Sequence, residues 1–182
     1  MDRLLIILFL LIISPGQQFK FVKVKIDKNI SVKLPADFTP VPATEMGTKY
    51  ISYRSPIALY SNLTKEVDFS VNYSISQWQS TDLELVKSFY KSNIANLFDS
   101  IEYIRDTIEE INDRDYIILE FTSTITEDKS VVRSGTAIKK YYYIQYTLKQ
   151  GHIFIFSFSA PHRIMNEWQP IAKAVMETVK LD

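Results

Sequence analysis

The sequence predicts an α+β domain in which a single, mostly antiparallel β-sheet is flanked by helices. Three observations lead there. Residues 139–161, KKYYYIQYTLKQGHIFIFSFSAP, read as two long strands joined by a tight turn at 149–152. Aromatic and β-branched residues suit a pleated surface, and Gly151 accepts the positive φ that hairpin turns require. Two other segments, 81–98 and 166–179, instead carry apolar residues at helical spacing. The remaining strand candidates are joined by turns too short for parallel crossovers. The order is strands, helix, strands, helix, so a helix from each half packs on the sheet. Helices on opposite faces would make an α/β/α sandwich.

The chain begins with an export pattern. Arg3 supplies a positive start, residues 4–13 are an unbroken apolar run of ten, and Ser14-Pro15-Gly16 offers small residues for a cut before Gln17. The run is short for a membrane span, which needs ~20 apolar residues. Residues 1–16 are therefore expected to be a signal peptide and 17–182 a single domain. Membrane contact is expected only if the signal is kept. With no cysteine in 182 residues, disulfides, thiolate nucleophiles and cysteine-bound metals are excluded, as is a lipid-bearing lipobox cysteine. Charge is balanced at 21 basic and 21 acidic residues, which argues against a nucleic-acid partner.

In chain order, residues 20–26 alternate strictly and read as a strand whose lysines suit a sheet edge. Asp27-Lys28-Asn29 turns the chain into a second strand at 30–34. Pro35, Pro40 and Pro42 then punctuate a loop running to residue 50. Short strands are expected at 49–54 and 57–60. Residues 67–76 alternate, with Val67, Phe69, Val71, Tyr73 and Ile75 opposing Asp68, Ser70, Asn72, Ser74 and Ser76, a polar face expected to meet solvent or a partner. Thr81 and Glu84 have the form of a capping box, followed by Leu83, Val86, Phe89, Tyr90, Ile94 and Leu97 at helical spacing. Residues 101–111 alternate again, with Ile101, Tyr103 and Arg105 expected on one face. Asn112–Asp115 turns into a strand at 116–126, a second turn at 127–130 follows, and 131–138 leads into the tyrosine run. After Pro161, Asn166 is expected to cap a final helix with Trp168, Ile171, Ala172, Val175, Met176 and Val179 as its apolar stripe.

Several of these segments together resemble a known family. After the export pattern comes ISVKLPADF at 30–38, then a mid-chain helix and a long antiparallel meander. A hairpin ending FSFSAP at 156–161 is followed by NEW at 166–168 and VMETVKL at 175–181. This layout resembles the Mog1/PsbP/DcrB superfamily. The resemblance implies an α/β/α sandwich and a non-enzymatic binding or accessory role, here for a bacterial envelope protein that is periplasmic or secreted, with no cofactor. It leaves the partner open.

The residues themselves present no catalytic signature. There is no Gly-x-Ser-x-Gly and no His-Glu-x-x-His. Ser134 and Ser159 have no base nearby in sequence, so hydrolysis would need a site assembled in space from a serine with a histidine or a carboxylate. That is the alternative to a binding role. His152 and His162 fall at opposite ends of one strand, ~33 Å apart by strand rise, too far to share a metal. The acidic cluster Glu109, Glu110, Asp113 and Asp115 reads as a solvated turn. Three Asn-x-Ser/Thr triplets begin at Asn29, Asn62 and Asn72. Two places are expected to bind a partner. One is the loop at 35–50, through Glu45 and Met46 beside Gly47, because long ordered loops carry function. The other is the interleaved Lys139, Lys140, Tyr141 and Tyr143, since tyrosine is common at interfaces. The competing reading of the second place has the tyrosines packed inward.

Overall fold

A computed structural model describes residues 19–49, 56–126 and 137–182, without the side chains of 47–49. The export signal, residues 50–54 of the strand expected at 49–54, the turn at 127–130 and Ser134 lie outside the described residues; Lys49 itself ends a helix.

The strands are β1 (Phe21–Lys25), β2 (Ile30–Pro35), β3 (Thr39–Pro40), β4 (Ala58–Ser61), β5 (Asp68–Ile75), β6 (Ser100–Glu110), β7 (Asp115–Thr126), β8 (Ala137–Lys149), β9 (His152–Pro161) and β10 (Lys180–Leu181). The helices are α1 (Ala43–Lys49), α2 (Leu83–Ala95) and α3 (Met165–Met176). Among the described residues, seven strands form the main sheet in the order β3-β4-β5-β9-β8-β7-β6, antiparallel throughout. The expected hairpin is β8–β9, and it occupies the middle of this sheet. Its turn has positive φ at Gln150 (48°) and Gly151 (72°), the conformation that matches strand twist in a two-residue loop.

The alternation in the central strands decides where the helices go. Tyr116, Ile118, Tyr141, Tyr143, Phe156 and Phe158 point to one face, where α3 buries Trp168, Ile171, Ala172, Val175 and Met176. Ile117, Leu119, Phe121, Tyr146 and Ile153 point to the other, where α2 contributes Val86 and Ile94. The helices thus lie on opposite faces, as a sandwich requires. The architecture adds a second, three-stranded sheet, β1-β2-β10, which shares the α3-side core through Ile30, Val32, Leu34 and Leu181. β1 is an edge strand, as its lysines suggested.

Several boundaries differ from the sequence reading. α3 stops at Met176, and Val179, expected in its stripe, is buried just before β10. The box at the start of α2 is made by Gln79 and Asp82 around a short 3-10 turn, two residues before the expected Thr81 and Glu84. Asp82 offers the Gln79 N–H a carboxylate oxygen at 2.8 Å. The polar face of β5 is not simply solvated, because Ser70 is fully buried. The most consequential difference is a bulge in β6. The register against β7 slips between Tyr103 and Arg105, so Tyr103 opposes Phe121 and Arg105 opposes Glu120. One extra residue reverses the alternation, and Arg105 turns to the α3 side instead of sharing the face of Tyr103.

Candidate functional site

The first expected binding region is more ordered than a loop. Pro40 ends the short strand β3, and Pro42 precedes α1, which carries Glu45 in its first turn. Proline fits there because helix starts have no use for the early N–H groups. The turn between β4 and β5 stands opposite. Asn62 is buried, and its Oδ1 accepts the N–H groups of Glu66 (3.0 Å) and Val67 (3.1 Å). Lys65 takes φ of 57°. That rigid turn lifts Leu63 into solvent at 76% exposure. Lys65 Nζ lies 3.5 Å from Glu45 Oε2. Between them is a groove of about 310 Å³ lined by Pro40, Pro42, Glu45, Asn62, Leu63 and Lys65 among others. Glu45 therefore lies on the groove; Met46, half-buried beside it, does not line it. Leu63 and Lys65 were not singled out by sequence, although the Asn62-Leu63-Thr64 triplet marked the place. Its asparagine is committed to holding the turn.

The second expected region divides. Lys139 and Lys140 are exposed. Tyr141 and Tyr143 are 0% and 1% exposed, which corrects their expected role as surface contacts. Alternation along β8 turns both onto the α3 side, and the core covers them. They belong to a buried polar network. Tyr141 donates its hydroxyl to Glu120 Oε1 at 3.0 Å, and Gln169 of α3 donates to the same oxygen at 2.7 Å. Arg105 donates to Tyr143 Oη at 3.1 Å and to both carboxylate oxygens of Glu109 at 2.6 Å. Burial opposes the Arg105 charge, but the Glu109 hydrogen bond and the surrounding Tyr143, Glu109 and Glu120 raise its pKa on balance. Burial, then the neighbouring Glu120, pushes the Tyr141 hydroxyl far up, and burial raises Tyr143 as well. Both tyrosines stay neutral, Tyr141 donating to Glu120 and Tyr143 accepting from Arg105, and the network fastens α3 to β7 and β8 through Gln169. Gln145, next along the same face, is fully buried.

The histidines lie at the two ends of β9, as the strand reading required. His152 sits edge-on to Tyr73, with ring centroids 5.7 Å apart, and His162 is exposed. Glu109 of the acidic cluster is bound to Arg105, while Glu110, Asp113 and Asp115 are exposed around a turn with positive φ at Asn112 and Asp113. Among the described residues, no three histidine or carboxylate side chains converge as a metal site. Ser159 is buried and lies opposite Asp68 in the β5–β9 ladder.

No family model matches the sequence, and no curated protein is similar to it by sequence. Solved structures do match its backbone. Cyanobacterial PsbP (CyanoP) from Synechocystis sp. PCC 6803 aligns with a TM-score of 0.62 at 13% identity, over 93% of this chain and 96% of that one. The chain has the PsbP/Mog1/DcrB-like fold. LpqN, involved in cell envelope biogenesis in Mycobacterium tuberculosis, aligns at 0.56 and 11% identity over 90% and 91% of the two chains. A Pseudomonas aeruginosa protein of unknown function aligns at 0.51 and 12% over 87% and 94%. Identities this low establish the PsbP-like fold, and the groove residues must be judged on their own geometry.

Proposed function

We propose that this PsbP-like domain is an exported, non-catalytic accessory protein of the bacterial cell envelope, and that it binds a protein partner in the groove between α1 and the β4–β5 turn. The observation that carries the reading is the presentation of Leu63. A leucine held out by a turn whose backbone is fastened through Asn62 is pre-ordered, so little entropy is lost when it enters a partner's pocket. The Glu45–Lys65 pair beside it is exposed and worth little to stability, and it places charges of both signs at the rim, where they act on partner choice and encounter. The export pattern at 1–16 and the fold shared with CyanoP and LpqN support an envelope setting.

The experiment is affinity capture from the native envelope with the wild-type chain and with Leu63→Asp side by side. A partner retained by the first and lost by the second supports the reading. No specific partner, or the same partner on both, contradicts it. Export is tested separately: the mature protein should begin at Gln17, and a chain still beginning at Met1 would contradict cleavage.

A further inference from the structure

At the other end of β5, the main sheet carries a partly exposed aromatic cluster. Cross-strand pairing sets Tyr73 against Phe154 and Ile75 against His152. The Tyr73 and Phe154 rings stack at 5.8 Å, and His152 stands near both, at 5.7 Å from Tyr73 and 6.3 Å from Phe154. Tyr73 remains 48% exposed. Facing this shelf is the β1–β2 turn of the small sheet. There Asp27 Oδ1 accepts the N–H groups of Asn29 (2.7 Å) and Ile30 (2.8 Å), which fixes the carboxylate in place. Lys149 reaches in from the β8–β9 turn. The open pocket between them is about 260 Å³, and its lining includes Tyr73, His152, Phe154, Asp27, Asn29, Lys149 and Asp182.

Exposed rings on adjacent strands often serve only to stabilise the pair. Here polar groups from a different sheet close over the same rings, and a pocket with an aromatic floor and a few placed polar groups is the usual form of a small-ligand site. The rim carries Asp27 and Asp182 with Lys149, whose ammonium also donates to the Asp182 main-chain oxygen, so it does not favour a strong anion. Carboxylate, amide and ammonium groups together can both accept from and donate to hydroxyls. A ligand with one C–H-rich face and several hydroxyls satisfies floor and rim at once. The volume falls below the ~300–1,000 Å³ of pockets that enclose drug-sized ligands, which suits one or two rings. We propose that the pocket between the Tyr73–Phe154 shelf and the β1–β2 turn binds a neutral saccharide unit, with one sugar face on the rings and its hydroxyls on Asp27, Asn29 and Lys149. This site is at the opposite end of β5 from Leu63, and neither proposal depends on the other.

The test is an amide-resolved NMR titration of the described domain within the full mature chain, using chitobiose, cellobiose and maltose separately and choline chloride as a cationic control. At least one disaccharide should give saturable shifts at residues 29, 73, 152 and 154. Tyr73→Ala should weaken that binding by roughly tenfold or more, and so should Asn29→Ala, which alters only an exposed turn residue. No saturable shift with any of the three sugars, equal shifts with choline, or binding unchanged in both variants would overturn the proposal.

Discussion

Trp168 tests the architecture most sharply. It lies on α3 at 5% exposure, and its ring meets Phe19 at 5.5 Å, Phe38 at 5.8 Å and Phe158 at 6.1 Å. Those three rings come from the residues before β1, the residues after β2, and β9. One side chain therefore joins the small sheet, the helix and the main sheet. An aromatic side chain of this kind buries ~150–250 Å², which at ~25 cal/mol per Å² is about 4–6 kcal/mol as an upper bound. Core truncations of tryptophan cost about 3–5 kcal/mol in practice. We expect Trp168→Ala to lose about 4 kcal/mol in urea unfolding. At ~2–4 °C per kcal/mol for a domain of this size, the melting midpoint should fall by roughly 8–16 °C. Trp78, the other of the two tryptophans, remains as a fluorescence probe, and circular dichroism reports the helices. A loss under about 0.5 kcal/mol, the ordinary level for a surface change, would mean that α3 does not join the two sheets as described.

The buried network predicts an asymmetry. Glu120→Ala should cost about 3 kcal/mol by stranding the Tyr141 hydroxyl and the Gln169 amide, whereas Glu120→Gln keeps an acceptor and should cost about 1 kcal/mol; equal losses in denaturant would contradict the network. Gly151→Ala should cost about 1–2 kcal/mol through its φ, since an added Cβ would meet nothing closer than Ser76 O at 3.9 Å; an unchanged midpoint would contradict the turn assignment. Burial pushes Tyr116 up to about 12 and raises Tyr141 and Tyr146 further. The folded chain keeps these protons after the unfolded chain loses its own, so their contribution is intact below the unfolded tyrosine value of about 10 and is lost as pH rises from there through the folded values. Ultraviolet titration should show these three ionising only with alkaline unfolding; ionisation of all three near the ordinary value in the folded chain would contradict their burial. Leu63→Asp should leave stability within about 0.5 kcal/mol of wild type, so that any loss of partner capture reports on the interface; a larger drop in the melting midpoint would contradict a free surface position.

The centre of the sheet was legible because strict alternation over ten or more residues leaves one assignment. β8 and β9 pair as their pattern requires, and their two faces gather α2 and α3 separately. The face of Arg105 was not legible, because the bulge at Ile104 leaves no mark in composition. A hint was present nonetheless: Glu120 interrupts Ile117-Ile118-Leu119 and Phe121, and a carboxylate in so apolar a run needs partners from elsewhere. The inward turn of Tyr141 and Tyr143 follows from the same parity, yet it could not be separated from a surface patch without knowing which face α3 covers. β10 escaped because two residues have no periodicity. Leu63 escaped because what makes it prominent, the Asn62 side chain bonded to two backbone amides, is a property of the folded turn.

The domain is proposed to act through the Leu63 groove on an envelope partner. Site-specific photocrosslinking in the native envelope tests it directly, with the probe at Leu63 and a control probe at the exposed Ile125. One discrete protein adduct is expected from position 63, absent from position 125 and lost when Glu45→Lys reverses the charge beside the groove. No adduct at 63, or the same adduct from both positions, would contradict it.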